Sequence, residues 1–236
     1  MNLGIMQPYF FPYLGYFDLI NRVDQWIVFD VVKYSHKGWM NRNRILHPDE
    51  GWQYISVPVH KHVGLGRVCD VVPVNLQLTE QRILGQLQHY RKGGAPFFKE
   101  VTALVREAFA VPKLVSLSDL NVATLKVVSA YLEIGFDYAV LNQMNLDLPE
   151  IDHPGQWALE ISCKLGASRY LNPPGGKDIF VPQEWAERGV DLEFTELVDF
   201  KYPCGNYAPI QHLSILDVLM WNSADTVKGY LDSRCA

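Results

Sequence analysis

The residues before Asp30 constrain the fold more than any other stretch. Leu3 to Met6 is a short apolar run followed by Pro8 and Pro12, so it reads as a buried strand entering a structured loop. Tyr16 to Arg22, with Phe17 and Ile20 three positions apart, reads as a helix. Gln25 to Val32 ("QWIVFDVV") is rich in Val, Ile and aromatic residues and reads as a second strand. Strand, loop, helix and strand in quick succession are the ingredients of a parallel α/β sheet.

The pattern returns in the last third. Gln156 to Leu165 reads as a helix stopped by Gly166, "SRYLN" as a strand and "PPGGKD" as a loop. Gln183 to Arg188 reads as a short helix, "VDLEFTEL" as a strand through Val190, Leu192 and Phe194, and Ser214 to Asn222 as a helix. Tyr54 to Val59 reads as a strand whose Pro58 confines it to an edge or an end.

The middle is helical. Gln77 to Tyr90 and Phe97 to Phe109 carry apolar residues at threes and fours. In "SLSDLNVATLKVVSAYLEIG", Ser118 serves as N-cap, Val122, Leu125, Val128 and Leu132 form one stripe, and Gly135 is the stop. The expectation is one α/β domain over residues 1–236. It has a three-layer, mostly parallel, Rossmann-like sheet and a helical insertion at about 77–135.

Composition narrows the partners. Hydrophobic residues at 48% and charged residues at 20% are a globular balance. A net charge of −5 argues against bulk binding to nucleic acid, which needs a basic face. No apolar run approaches the ~20 residues of a membrane span, and no secretory leader is evident. Cys69, Cys163, Cys204 and Cys235 are scattered with no CxxC, which reads as reduced thiols in a cytoplasm. A small, anionic substrate is expected, and no cofactor.

The loop after the first strand raises a specific question. Tyr9, Phe10, Phe11, Pro12, Tyr13, Gly15 and Tyr16 crowd together. Rings fill cores, but buried tyrosine hydroxyls need partners, and ligands of α/β sheets sit beyond the carboxyl ends of the strands. Core and binding wall are both open readings for each ring. Gly15 would let a ligand approach a helix N-terminus, where free N–H groups favour anions.

Two more loops carry candidate chemistry. "KGWMNRN" offers Arg42 as a planar fork for an anion, Asn41 and Asn43 as amides for hydroxyls, and Trp39 for stacking. "YLNPPGGKDIF" offers Asn172, backbone N–H groups at Gly175 and Gly176, and Lys177 as a point charge, without the spacing of a Walker A loop. His60 and His62 could share a face toward a metal, but no third ligand is evident and no metal is expected.

In a parallel sheet these loops should line one cleft. Gln7, Tyr9, Gly15, Trp39, Asn41, Arg42, Asn172, Gly175 and Gly176 are the candidate binding residues; Tyr13, Tyr16 and Lys177 are the candidate catalytic ones. An unperturbed tyrosine, with a pKa of about 10, is a poor base near neutrality.

Taken together, "IMQPYFFPYLGYFDLI", "GWMNRNRIL", "YISVPV", "LSDLN", "LGASRYLNPPGGKDIF", "GVDLEF" and "LSILDVLMWNS" resemble the WbqC-like protein family over about residues 3–230. The chain departs from the family at Val31 and in "KYPCGNYAPIQHLS". The resemblance implies a place in bacterial surface-polysaccharide or natural-product gene sets. It implies acyl or aminoacyl transfer to an amine such as an amino sugar. More weakly, the chain resembles the nucleotidylyl transferase fold, including pantothenate synthetase-like enzymes. There the tetrad Tyr13-Leu14-Gly15-Tyr16 stands where that fold carries H-x-G-H, with phenols in place of imidazoles. A non-catalytic sugar- or nucleotide-binding protein is the other class open to this sequence.

Overall fold

The structure, a computed structural model, describes residues 1–60 and 66–235. Its main sheet has five parallel strands in the order β5-β2-β1-β6-β7. These are β1 (Asn2–Met6), β2 (Gln25–Val28), β5 (Tyr138–Val140), β6 (Arg169–Asn172) and β7 (Asp191–Phe194). β1 is central, pairing in parallel with β2 on one side and β6 on the other. The chain adds β2 and β5 to one side of β1, then crosses back to add β6 and β7 to the other. The reversal point therefore lies between the carboxyl ends of β1 and β6, where doubly wound sheets bind ligands.

Period-two alternation sends side chains to two cores. Leu3, Ile5, Ile27 and Tyr170 face a cluster closed by α6 (Gln156–Lys164) and by Trp185 of α7 (Pro182–Glu187). Trp26, Val28 and Leu171 face the larger cluster. That cluster is built from α1 (Leu14–Asn21), α2 (Leu76–Gln86), α4 (Phe98–Ala110), α5 (Leu117–Tyr131), α8 (Ile215–Trp221) and α9 (Ala224–Ser233), with the short α3 (Gln88–Lys92) beside them. The result is the expected three-layer α/β fold, with helices on both faces and the helical stretch α2 to α5 preceding β5.

Several local expectations need correction. Residues 42–46 do not form a loop: β3 (Arg42–Leu46) and β4 (Trp52–Ser56) make an antiparallel hairpin outside the main sheet. Three consecutive polar residues, Arg42, Asn43 and Arg44, break the period-two apolar pattern and hide it. The N-cap of α5 is Ser116, not Ser118; its hydroxyl accepts from Asp119 N–H in a capping box. Ser118 instead donates to the buried carboxylate of Asp30 at 3.1 Å. α5 ends at Tyr131, before Gly135, and Glu133 takes the left-handed conformation (φ 52°). "PPGGKD" is not open loop but part of a short 3-10 helix at Pro174–Ile179. No helix among the described residues is long and apolar enough to cross a membrane.

Candidate functional site

The Pro/aromatic loop is rigid because other elements bind its carbonyls. Tyr16 Oη donates to Gln7 O at 2.7 Å, and Asn121 Nδ2 of α5 donates to Pro8 O at 2.8 Å. Asn43 Nδ2 donates to Phe10 O and Phe11 O at 3.0 and 2.9 Å. Ser214 Oγ also donates to Phe11 O, at 2.7 Å, and Ile215 N–H donates to Pro12 O at 2.8 Å. Phe11 sits at φ 38°, a left-handed backbone that a bulky residue holds only when its surroundings over-determine it. Here three elements supply that constraint: β3, α5 and α8.

This geometry answers the question of the aromatic run. Phe10, Phe11 and Tyr16 are fully buried core residues. Tyr9 and Tyr13 face a cavity of about 520 Å³ over the β1/β6 reversal point. Gly15 acts indirectly: a Cβ there would lie 2.4 Å from the Tyr13 ring, so only glycine lets that ring fold back over the start of α1.

Each wall of the cleft comes from a different element. The β1 loop gives Gln7, Tyr9 and Tyr13; the segment around β3 gives Trp39, Asn43 and Arg44; the far side gives Trp157 of α6. Asn172, the last residue of β6, and Gly175 and Gly176 beyond it close the cleft. Tyr170 Oη donates to Asn172 Oδ1 at 2.8 Å, and Asn172 Nδ2 donates to Pro173 O at 2.8 Å. A Cβ at Gly176 would fall 2.8 Å from that amide nitrogen, so the close turn needs glycine. A Cβ at Gly155 would fall 2.1 Å from Ile179 O, which fixes α6 tightly against the 3-10 segment.

Arg44 is the cation of the cleft. Its guanidinium lies 5.2 Å from the ring centroids of both Trp39 and Trp52. Nη2 donates to His212 O at 3.3 Å, while Nε is buried without a partner. No carboxylate pairs with it, and no Asp or Glu lines the cleft among the described residues. Desolvation, with smaller contributions from Tyr9 and Asp18, raises the pKa of Tyr13; burial also raises that of Tyr9. Both phenols therefore stay protonated and act as donors. His212 completes the wall, its ring edge-on to Tyr13 at 5.9 Å between centroids and its backbone left-handed (φ 57°).

The comparisons with known proteins bear on this cleft. Residues 7–229 match the WbqC-like protein family. The chain belongs to that family. It is also 28% identical over 235 residues to Uncharacterized protein Rv1507c of Mycobacterium tuberculosis (strain ATCC 25618 / H37Rv), covering 98% of this chain and 97% of the relative. No solved structure matches.

In this WbqC-like chain Gln7, Tyr9, Tyr13, Trp39, Asn172, Gly175 and Gly176 come together in one cleft. Five candidates do not line it. Arg42 Nη2 donates to Lys37 O at 2.8 Å, and its guanidinium lies over the Tyr54 ring at 4.3 Å, bracing its own loop. Asn41 Nδ2 donates to Val57 O at 3.0 Å. Tyr16 is buried, and burial above all raises its pKa well above the usual value, so it is no base. Lys177 is exposed, with Nζ 5.7 Å from the Phe194 ring centroid. Gly15 lies beneath the Tyr13 ring. His62 lies outside the described residues, and the described residues contain no group of three or more metal-ligating side chains.

Arg44 and His212 were missed by the sequence reading. Recognising the hairpin would not have singled out Arg44, because alternation along a strand puts Arg42 and Arg44 on the same face. Nothing near His212 in the sequence marks it.

Proposed function

We propose that this is a WbqC-like transferase of the cytoplasm. It passes an acyl or aminoacyl group to an amine, such as that of a nucleotide-linked amino sugar, in surface-polysaccharide or natural-product biosynthesis. The observation that carries the reading is Arg44, a cation that among the described residues has no carboxylate partner and sits in a cleft lined by no Asp or Glu. An anionic ligand completes that charge. Tyr9 and Trp39 offer faces for a base or sugar, and Gln7 offers an amide for hydroxyls. A cavity of about 520 Å³ suits a ligand of that size.

In the reaction, the amine nitrogen attacks the carbonyl carbon of the activated donor. A C–N bond forms and the C–O or C–S bond to the leaving group breaks. His212 takes the amine proton and returns it to the leaving group, histidine being the residue type suited to that exchange near neutrality. Tyr13, protonated, donates to the carbonyl oxygen as negative charge develops there.

The test is incubation with candidate nucleotide-linked amino sugars and acyl or aminoacyl thioesters, followed by mass spectrometry. The expected result is a product heavier by the acyl group, with Arg44→Ala weakening donor or sugar binding about tenfold or more, since hydrogen bonds to charged groups contribute about 1.5–3 kcal/mol. Binding without any product supports the second reading, a non-catalytic sugar- or nucleotide-binding protein. The observation favouring that reading is that Tyr13 and Tyr16 are phenols held protonated where a nucleotidylyl transferase would carry imidazoles.

A further inference from the structure

A second cavity, of about 240 Å³, lies behind the Tyr13–His212 wall, and those two residues border both cavities. Its other walls are largely apolar, with Leu14, Leu46, Val198 and Phe200 among them. One wall carries Asp217, in the first turn of α8 and only 1% exposed. Tyr202 donates to its Oδ2 at 2.5 Å and Tyr90 donates to its Oδ1.

Asp217 has no basic partner among the described residues. Lys201 also borders the cavity, but it is exposed and its ammonium reaches Asp199 at 3.2 Å. Burial pushes the Asp217 carboxyl up to about 6, which still leaves it ionised at neutral pH. An ionised carboxylate in an apolar chamber is costly unless a cation meets it. The two phenols, with the Leu46 N–H also lowering this carboxyl, leave part of the roughly four lone-pair sites of a carboxylate for another donor.

We propose that this second cavity binds a small primary ammonium carried on an apolar body, with the charge against Asp217. That this amine takes part in the transfer rests on the function proposed above; the ammonium binding does not. Tyr13 and His212 then stand between the amine on one side and the Arg44 cleft on the other.

The experiment is isothermal titration calorimetry at pH 7.5 with cyclohexylmethylamine and, in parallel, its neutral isostere cyclohexylmethanol. The parent should bind the amine, with the alcohol at least tenfold weaker. Val198→Phe, which fills the cavity, and Asp217→Asn, which removes the charge, should each weaken the amine by tenfold or more. Equal binding of amine and alcohol overturns the proposal, as does unchanged amine affinity in Val198→Phe or no amine binding at millimolar concentration. Should Asp217→Asn fail to fold, the alcohol and Val198→Phe still decide. The two readings fail separately. A protein that binds the amine but no nucleotide-linked sugar loses the proposed function and keeps this site. A protein that transfers acyl groups but ignores the amine loses only this site.

Discussion

Asp217→Asn gives a quantitative check on the buried carboxylate. Burial raises the folded-state value from 3.8 to about 6, against the lowering effect of hydrogen bonds from Tyr202, Tyr90 and the Leu46 N–H. A difference of about two pH units between folded and unfolded states corresponds to about 3 kcal/mol, at about 1.4 kcal/mol per unit. The sign follows from which state holds the proton. Between about pH 4 and 6 the folded protein keeps the Asp217 proton and the unfolded chain has lost it. Stability from this group is therefore present below about pH 4 and falls as pH rises through about 6.

Other carboxylates titrate as well. Burial raises Asp30 in the same sense, while Arg67 lowers Asp70 and Lys228 lowers Asp232 in the opposite sense. These are common to parent and variant and cancel in the difference. Asparagine adds a fixed offset, because its amide nitrogen faces a phenol, but no slope. Urea unfolding followed by tryptophan fluorescence, from pH 4 to 8, should show the variant gaining about 3 kcal/mol on the parent as pH rises from 4 to 7. Parallel curves for the two proteins would refute the assignment of an ionised, cation-free carboxylate.

Three further outcomes follow from particular contacts. Arg42→Ala should leave affinity for an anionic nucleotide-sugar within about twofold while Arg44→Ala loses tenfold or more, measured by calorimetry; the reverse order would place the anion outside the cleft. Gly155→Ala should lower stability by about 1–3 kcal/mol through its 2.1 Å approach to Ile179 O, whereas Gly175→Ala, with nothing within 4 Å, should melt like the parent. Asn43→Ala removes the amide that binds two carbonyls of the Pro/aromatic loop and should cost about 1–3 kcal/mol in chemical denaturation, with ligand affinity falling alongside; an unchanged midpoint would show the loop is held by other contacts.

The sequence by itself determined the parallel α/β frame. Leu3–Met6, "QWIVFDVV", "SRYLN" and "VDLEF" carry strand-forming residues bounded by turns, and the helices between them read at threes and fours. Local pattern decides such elements, so it survives in the chain alone. The same pattern placed Gln7, Asn172 and the two glycines beyond strand ends, where the cleft lies. It also shows that residues 7–16 are unusual without saying which rings line a pocket. Only the fold separates Tyr9 and Tyr13 from Phe10, Phe11 and Tyr16, because that depends on which carbonyls Asn43, Asn121 and Ser214 capture from distant elements.

Tertiary structure alone decided the charges. Arg42 and Arg44 are two residues apart and chemically identical, and both point to the same face of β3. Arg42 finds Lys37 O and the Tyr54 ring, while Arg44 finds Trp39, Trp52 and the cleft. His212 and Asp217 come to border the cavities only because the segment entering α8 crosses the β1 loop, with Ile215 N–H donating to Pro12 O at 2.8 Å and Ser214 N–H to Arg44 O at 2.8 Å. Contacts between residues some two hundred positions apart leave no periodic trace in a single chain. The physical reason is that secondary structure is written in neighbouring residues, whereas desolvation and charge pairing are set by whatever the folded chain packs beside them.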